Sequence, residues 1–542
     1  MAERDVAQAL SLAETAAAHL RGAGQRVWFE RLDAEYEALR SALRSCERHA
    51  DAETGLRLAV TLAWFWFRRG HVPEGRRWLE GFLAAAPASE DGQRLRPTGL
   101  FWAGHFACAE VKPDEARPFL EESLAISTVK GDARGIAYAL KGLGHAAWYR
   151  GDYQGSMAQQ REAVRLLALT GDQWGQAWTL GQLAGVTYDM GDHAAALGVA
   201  HEALALFRTE ADPWGCAWTL DTLGAILLFD GDRSRSRPYF EESVGIWRAL
   251  GSKHDLAYSL LRLGRGALLD GDVARAAASF GESQALFREV GWTAREAGTL
   301  HDLGCVALAQ GNTAQATAHF TACLEQHRAA GAQAAAADAL YALGQVALAE
   351  RDYPRADALF AELLVLAREI GDQRRTGQAL QGAGHAALGQ GVYRLAAAHL
   401  RASLTHWRQV KAEHADRDRG ANLAYGQRVA LERDLEGGRA LAALLADVAA
   451  LAAVQGQPER AVWLWAAGQG QVEQPAWWLP ADTRHDLAGV IRAPAMRAHY
   501  QALAARTRAQ LGEAAYDAAW TAGQAMTLEQ AIAYAFAGDD GA

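Results

Sequence analysis

The residues of this chain best equipped for chemistry are its 17 histidines and five cysteines, so their spacing comes first. His105, His145 and His385 each stand one place after a glycine, and His105 and His145 lie 40 residues apart with Cys108 close to the first. Imidazole and thiolate ligate zinc, so a site there is conceivable. Two histidines without further carboxylate or thiolate help make a poor one, and the competing reading is polar residues on an inner wall. His201-Glu202 is not followed by the second histidine of a zinc-protease helix, and no GxSxG nucleophile turn occurs. "GLGHAAW" at Gly142 and "GAGHAAL" at Gly382 lack the third glycine of a dinucleotide loop. No lysine sits in a GxxxxGK[ST] phosphate cradle. No catalytic residue, metal or cofactor is therefore expected, and the chain reads as a non-enzyme. Cys46, Cys108, Cys216, Cys305 and Cys323 form no CxxC pair and are odd in number, which suits reduced thiols.

The remaining chemistry is aromatic. "DQWGQAWTLGQLAG" begins at Asp172 and "DPWGCAWTLDTLG" at Asp212, so one motif recurs after 40 residues. The interval runs through the chain. Small residues stand at Gly104, Gly144, Ala184, Gly224, Gly264, Gly304, Gly344 and Gly384, with a leucine four places before each. Twelve places after each comes Ala or Ser. Sixteen after comes a mostly bulky site, Leu120, Phe240, Phe280, Phe320, Phe360 and Leu400, with Gln160 and Ala200 as exceptions. A period of 20 to 50 residues is the mark of a solenoid. Within a period the apolar spacing is helical, as in Leu140, Leu143 and Ala147. Pairs such as Gly151-Asp152, Gly171-Asp172 and Gly231-Asp232 then end one helix and cap the next. Each repeat is thus expected to be two antiparallel helices, and the fold an all-α superhelical solenoid with helical caps.

The pattern resembles the tetratricopeptide repeat, lengthened from its usual unit of about 34 residues. Arg31–Glu80 ("RLDAEYEALRSALRS…") resembles the opening of the C-terminal sensor domain of bacterial STAND/NB-ARC-type (LuxR/SARP-like) transcriptional regulators. Gly456–Gln469 and Leu511–Phe536 resemble its end. The ATPase and DNA-binding segments of such regulators have no counterpart here, so a separate or upstream module would supply them. The expected organisation is a cap over 1–45, about nine helix pairs over 46–410, a charged and helical insertion over 411–440, and a last repeat with cap over 441–542. "EQPAWWLPADTRHD" (Glu473–Asp486) is expected to cover the last repeat, or else to serve as a docking loop.

In this repeat class the first helix of each pair lines the concave side. The resemblance therefore implies an inward strip of Tyr138, Lys141, His145, Trp148, Trp178, Tyr188, Trp218, Asp221, Tyr258, Arg265 and His301. Such a strip suits a peptide, a protein segment or a small effector. The alternative is that the tryptophans are framework, each packing on the next repeat. The implied function is a protein- or ligand-binding scaffold in bacterial signalling. An oligomerisation module, or an enzyme with an unrecognised groove site, are the rivals.

Bulk properties fit this reading. A net charge of -10 without a basic block argues against direct nucleic-acid contact. The most apolar run, Leu58–Phe67, is half of what a membrane helix needs, and "MAERDVAQALSL" has no signal-peptide core, so a cytoplasmic protein is expected.

Overall fold

The structure is a computed structural model in which residues 2–85, 90–417, 439–470 and 493–536 are described. Among the described residues there are 26 helices and no strand. The chain divides into two compact units, Met1–Ser259 and Leu260–Ala542.

In the first unit α1 (Ala2–Ala17), α2 (Gln25–Ala34) and α3 (Tyr36–Arg48) precede five antiparallel pairs. These are α4 (Ala52–Arg69) with α5 (Val72–Ala85), α6 (Glu90–Ala109) with α7 (Pro113–Lys130), and α8 (Ala133–Tyr149) with α9 (Tyr153–Thr170). They continue with α10 (Gln173–Asp189) and α11 (His193–Thr209), then α12 (Pro213–Asp230) and α13 (Arg233–Leu250). The unit boundary falls within α14 (Lys253–Leu269).

The second unit continues with α15 (Val273–Glu289), α16 (Thr293–Ala309), α17 (Thr313–Ala329), α18 (Gln333–Ala349), α19 (Tyr353–Glu369), α20 (Gln373–Gly389) and α21 (Tyr393–Arg417). It ends with α22 (Arg439–Val454), α23 (Pro458–Gly470), α24 (Ala493–Leu511), α25 (Glu513–Gln524) and α26 (Leu528–Phe536). Leu400, Leu404 and Trp407 of α21 share one buried cluster with Leu444, Leu464, Trp465 and Ile532, which closes the end of this unit. Of the charged segment expected from Lys411 to Gly438, only Lys411–Arg417 are described, as the last turns of α21. The Glu473–Asp486 loop lies outside the described residues.

Two sequence columns turn out to be one contact. A Cβ added to Gly224 would lie 2.8 Å from the Phe240 ring; the same test at Gly304 and Gly344 meets Phe320 at 2.5 Å and Phe360 at 2.6 Å. The ring sixteen residues later therefore rests on the bare backbone of the preceding helix, and this lets the two helices of a pair approach closely. Where the small site gains a methyl, at Ala184, the partner column shrinks to Ala200, and both are fully buried. Volume is conserved across the contact.

The helix ends follow equally local rules. Gly171 adopts a left-handed φ of +71°, and the Asp172 carboxylate then accepts the Gly175 amide at 2.9 Å. Asp152, Asp192, Asp352 and Asp372 cap the same way. Ala332 holds the same backbone angles, φ -83° and ψ 71°, yet offers no side-chain acceptor. Replacing Ala332 by Asp is expected to raise stability by about 1 kcal/mol, read as a higher denaturation midpoint at unchanged slope. An unchanged midpoint would mean that the α18 amides are already satisfied by water.

Candidate functional site

The inner wall of the first unit is built by the first helices of its pairs, and its side chains meet as one aromatic mass. Trp178 on α10 is 2% exposed. Its ring centroid lies 5.2 Å from Trp174, 6.0 Å from Trp102, 5.0 Å from His105 and 5.4 Å from Trp64. Phe67 and Phe101 lie 6.2 and 6.4 Å away. Trp64 and Phe67 belong to α4, the inner helix of the first pair. The wall expected to stand open is therefore covered, over Trp178, by the chain's own first inner helix.

Lys141 on α8 is fully buried in the same mass, its Nζ 3.3 Å from the Trp178 ring centre and without a hydrogen-bond partner. Burial drives its pKa well below that of an ordinary lysine, with Cys108 pulling weakly the other way. Burial, then the charge of Lys141, likewise lowers His145 to about 3. His105 is driven well below the usual range, by burial first and then by Lys141 and His145. Both ring nitrogens of His105 lack a partner, and the His105 and His145 centroids are 5.6 Å apart. This is a nest of three bases enclosed by rings, each with its charged form disfavoured by burial. Among the described residues no group of three or more His, Cys, Asp or Glu could hold a metal ion. The five cysteines are buried and form no disulfide.

The other expected wall residues divide. Tyr138 donates its hydroxyl to Asp172 at 3.0 Å, and burial, aided by that carboxylate, pushes its pKa up to about 12. Trp148 donates to Asp189 at 2.7 Å, and its ring rests on Gly185, where a Cβ would come within 2.7 Å. Trp218 is half-buried, stacked on Trp214 at 5.5 Å, with its edge on Gly181. Tyr188 is buried and stacks on His193 at 4.7 Å. Asp221, expected to orient a ligand, is buried and accepts from Trp247 Nε1 at 3.0 Å and Ser259 Oγ at 2.5 Å, so its carboxylate faces into the repeats. Tyr258 is half-buried beside His254, with centroids 5.2 Å apart.

The inner residues of the second unit are polar instead. Arg265 reaches Asp302 at 3.0 Å, and half-buried His301 lies 5.2 Å from Phe320 and 3.8 Å from the Cys305 sulfur. Arg375, fully buried, is paired with Asp338 and lies over Tyr341 at 4.8 Å. His385 meets Asp447 at 2.9 Å, and Gln381 donates to the same carboxylate. Each acid of this series has a base or amide beside it.

Sequence reasoning did not single out Arg21, Gln25, Trp64, Arg68, Asp212 or Asp255, which complete the wall of the first unit. Arg21 lies over Trp174 at 3.7 Å, and Arg68 over Trp214 at 4.3 Å. Arg68 donates to Asp255 at 2.9 Å, and Gln25 to Asp212 at 2.7 Å. Burial acts to raise the Asp255 carboxyl pKa, but Arg68, His254 and Ser252 outweigh it and hold it below the ordinary range.

Residues 175–249 match the tetratricopeptide repeat family. That span contains both "AWTL" motifs and the Gly224–Phe240 contact. Solved structures resemble the chain at the level of the fold. The apo form of RapI is 15% identical and covers 66% of this chain and 98% of its own, with a TM-score of 0.50. A Rap protein complexed with Competence and Sporulation Factor is 14% identical over 66% of this chain and 98% of its own, at a TM-score of 0.45. A STAND protein with a tetratricopeptide repeat sensor from Pyrococcus horikoshii is 15% identical over 67% of this chain and 55% of its own, at 0.43. No curated protein matches the sequence. The chain is a tetratricopeptide-like helical-repeat scaffold, an architecture typical of protein–protein interaction. Among the described residues no helix is long and apolar enough to cross a membrane.

Proposed function

We propose that this scaffold is a cytoplasmic sensor module of a bacterial signalling or transcriptional regulator, and that it binds a protein or peptide segment along the inner wall of its repeats. One observation carries the reading: the inner wall of the first unit already receives a helix, α4, through ring contacts and a largely enclosed ion pair. A wall with that chemistry suits a polypeptide better than a small polar metabolite. The half-exposed Trp218 and Tyr258 are the strip residues through which a partner would first make contact. The likeness of Arg31–Glu80 and Leu511–Phe536 to sensor domains of STAND regulators supports the signalling role.

Photo-crosslinking in cells tests this. A crosslinking amino acid placed at Trp218 or Tyr258 is expected to trap one discrete protein adduct. The same group at outer positions Val129 and Leu169, which are 89% and 71% exposed, is expected to trap none. Adducts from the outer positions alone would overturn the reading. An adduct of twice the chain's mass at the inner positions would replace it with self-assembly.

A further inference from the structure

We propose that α4 is a built-in occupant of the first unit's inner wall, and that the partner segment is a helix carrying an aromatic residue followed four places later by arginine. This rests on the reading of the inner wall as a polypeptide-binding surface. Trp64 and Arg68 stand at i and i+4, so they share one face of α4. That face supplies the ring and the charge that α4 brings to the wall, while Arg21 and Gln25 reach it from outside α4. Trp64 meets the edges or faces of Trp174, Trp178 and Trp214 at 4.9, 5.4 and 5.1 Å, each at a steep interplanar angle. Its indole nitrogen donates to the Leu20 carbonyl at 3.3 Å. Arg68 combines stacking on Trp214 with the charge-assisted bond to Asp255, and its side chain is 12% exposed. The other carboxylate of the wall, Asp212, is 1% exposed and is filled by Trp174 Nε1, the Trp214 amide and the Gln25 side chain of α2. Asp255, a partly enclosed acid beside the Trp214 face, selects a cationic helix face and rejects an acidic one.

The resident leaves the wall incompletely satisfied. Trp214 Nε1 is buried and has no hydrogen-bond partner. A helix that offers the same aromatic and arginine, and adds a neutral carbonyl acceptor there, would bind better than α4, because a buried unpaired donor is costly. Tethering gives the resident a high effective concentration, so an outside helix gains the wall only where it fits better or where the resident is weakened.

The test is a competition. A capped, fluorescent peptide of residues 52–70 is titrated into the full chain and into its Arg68→Met variant, which keeps the packing and deletes the resident's charge. The peptide is expected to bind the variant at least about tenfold more tightly than the unaltered chain. A peptide carrying Arg68→Ala is expected to bind neither. Trp64→Leu serves as a second weakened chain should Arg68→Met not fold. Equal affinity for unaltered and weakened chains, or no binding to a weakened chain with a normal melting curve, overturns the proposal and makes α4 plain core. Failure here with inner-wall crosslinks still present leaves the polypeptide-binding reading standing. Failure of both removes the two together.

Discussion

Trp178→Ala is expected to destabilise the first unit by about 3–5 kcal/mol, the range for emptying a large buried ring site. The ring is 2% exposed and serves α4, α6 and α10 at once through Trp64, Phe67, Phe101, Trp102 and Trp174. Its removal also takes from Lys141 the ring face that lies 3.3 Å from its Nζ, which makes no hydrogen bond. Trp218→Ala, at the equivalent place one repeat later, is expected to cost clearly less, because Trp218 is only half-buried, stacked on Trp214 with its edge on Gly181. Chemical denaturation of both variants, followed by near-UV circular dichroism, separates two roles that the repeated "AWTL" motif would otherwise merge. A near-normal midpoint for Trp178→Ala would mean that the strip is loosely packed and open to ligands in solution.

That difference between equivalent tryptophans bears on how much the sequence could say. The 40-residue columns were legible because each reports a contact between helices adjacent in the chain. Gly224 and Phe240 are sixteen residues apart and touch, so the pattern repeats wherever the pair repeats. The Gly-Asp junctions were legible for the same reason, since a cap reaches three residues forward. The covering of the wall by α4 was not. Arg68 bonds Asp255, and Gln25 bonds Asp212, each across 187 residues. Which distant repeats meet depends on small rotations summed from one repeat to the next, and no local pattern encodes that sum. A signal was nevertheless present in α4. "LAVTLAWFWF" puts Trp64, Phe65 and Trp66 on successive faces of one helix, and a helix apolar all round is buried all round. A surface helix of an open solenoid needs one apolar stripe. The extra rings of α4 marked a second partner. Lys141, read from the sequence as one polar member of the inward strip, lies fully enclosed among rings and histidines.

Lys141→Met is expected to stabilise the chain by about 1–3 kcal/mol at neutral pH, the cost usually attached to burying a polar group without a partner. Lys141 is fully enclosed, its amine makes no hydrogen bond, and no acid faces it from α6, α8 or α10. The groups that do face it are His105, His145, Cys108 and the Trp178 ring, none of which supplies a negative charge at neutral pH. Methionine has nearly the same length and sets a sulfur against the ring that now meets the amine. The pH dependence gives the effect a signature. The folded pKa of Lys141 lies well below that of an ordinary lysine, so the unfolded chain holds a proton that the folded chain resists. The wild-type penalty is full below the folded pKa, shrinks as pH rises toward the unfolded value of about 10.4, and vanishes above it. Methionine does not titrate. The gap between variant and wild type should therefore be wide at pH 7 and narrower at pH 9.5 in matched denaturant titrations. A gap that is constant with pH would place the gain in packing alone. A destabilised variant would mean that the cation over Trp178 contributes more than its burial costs, and that the first unit carries a buried charge as part of its framework.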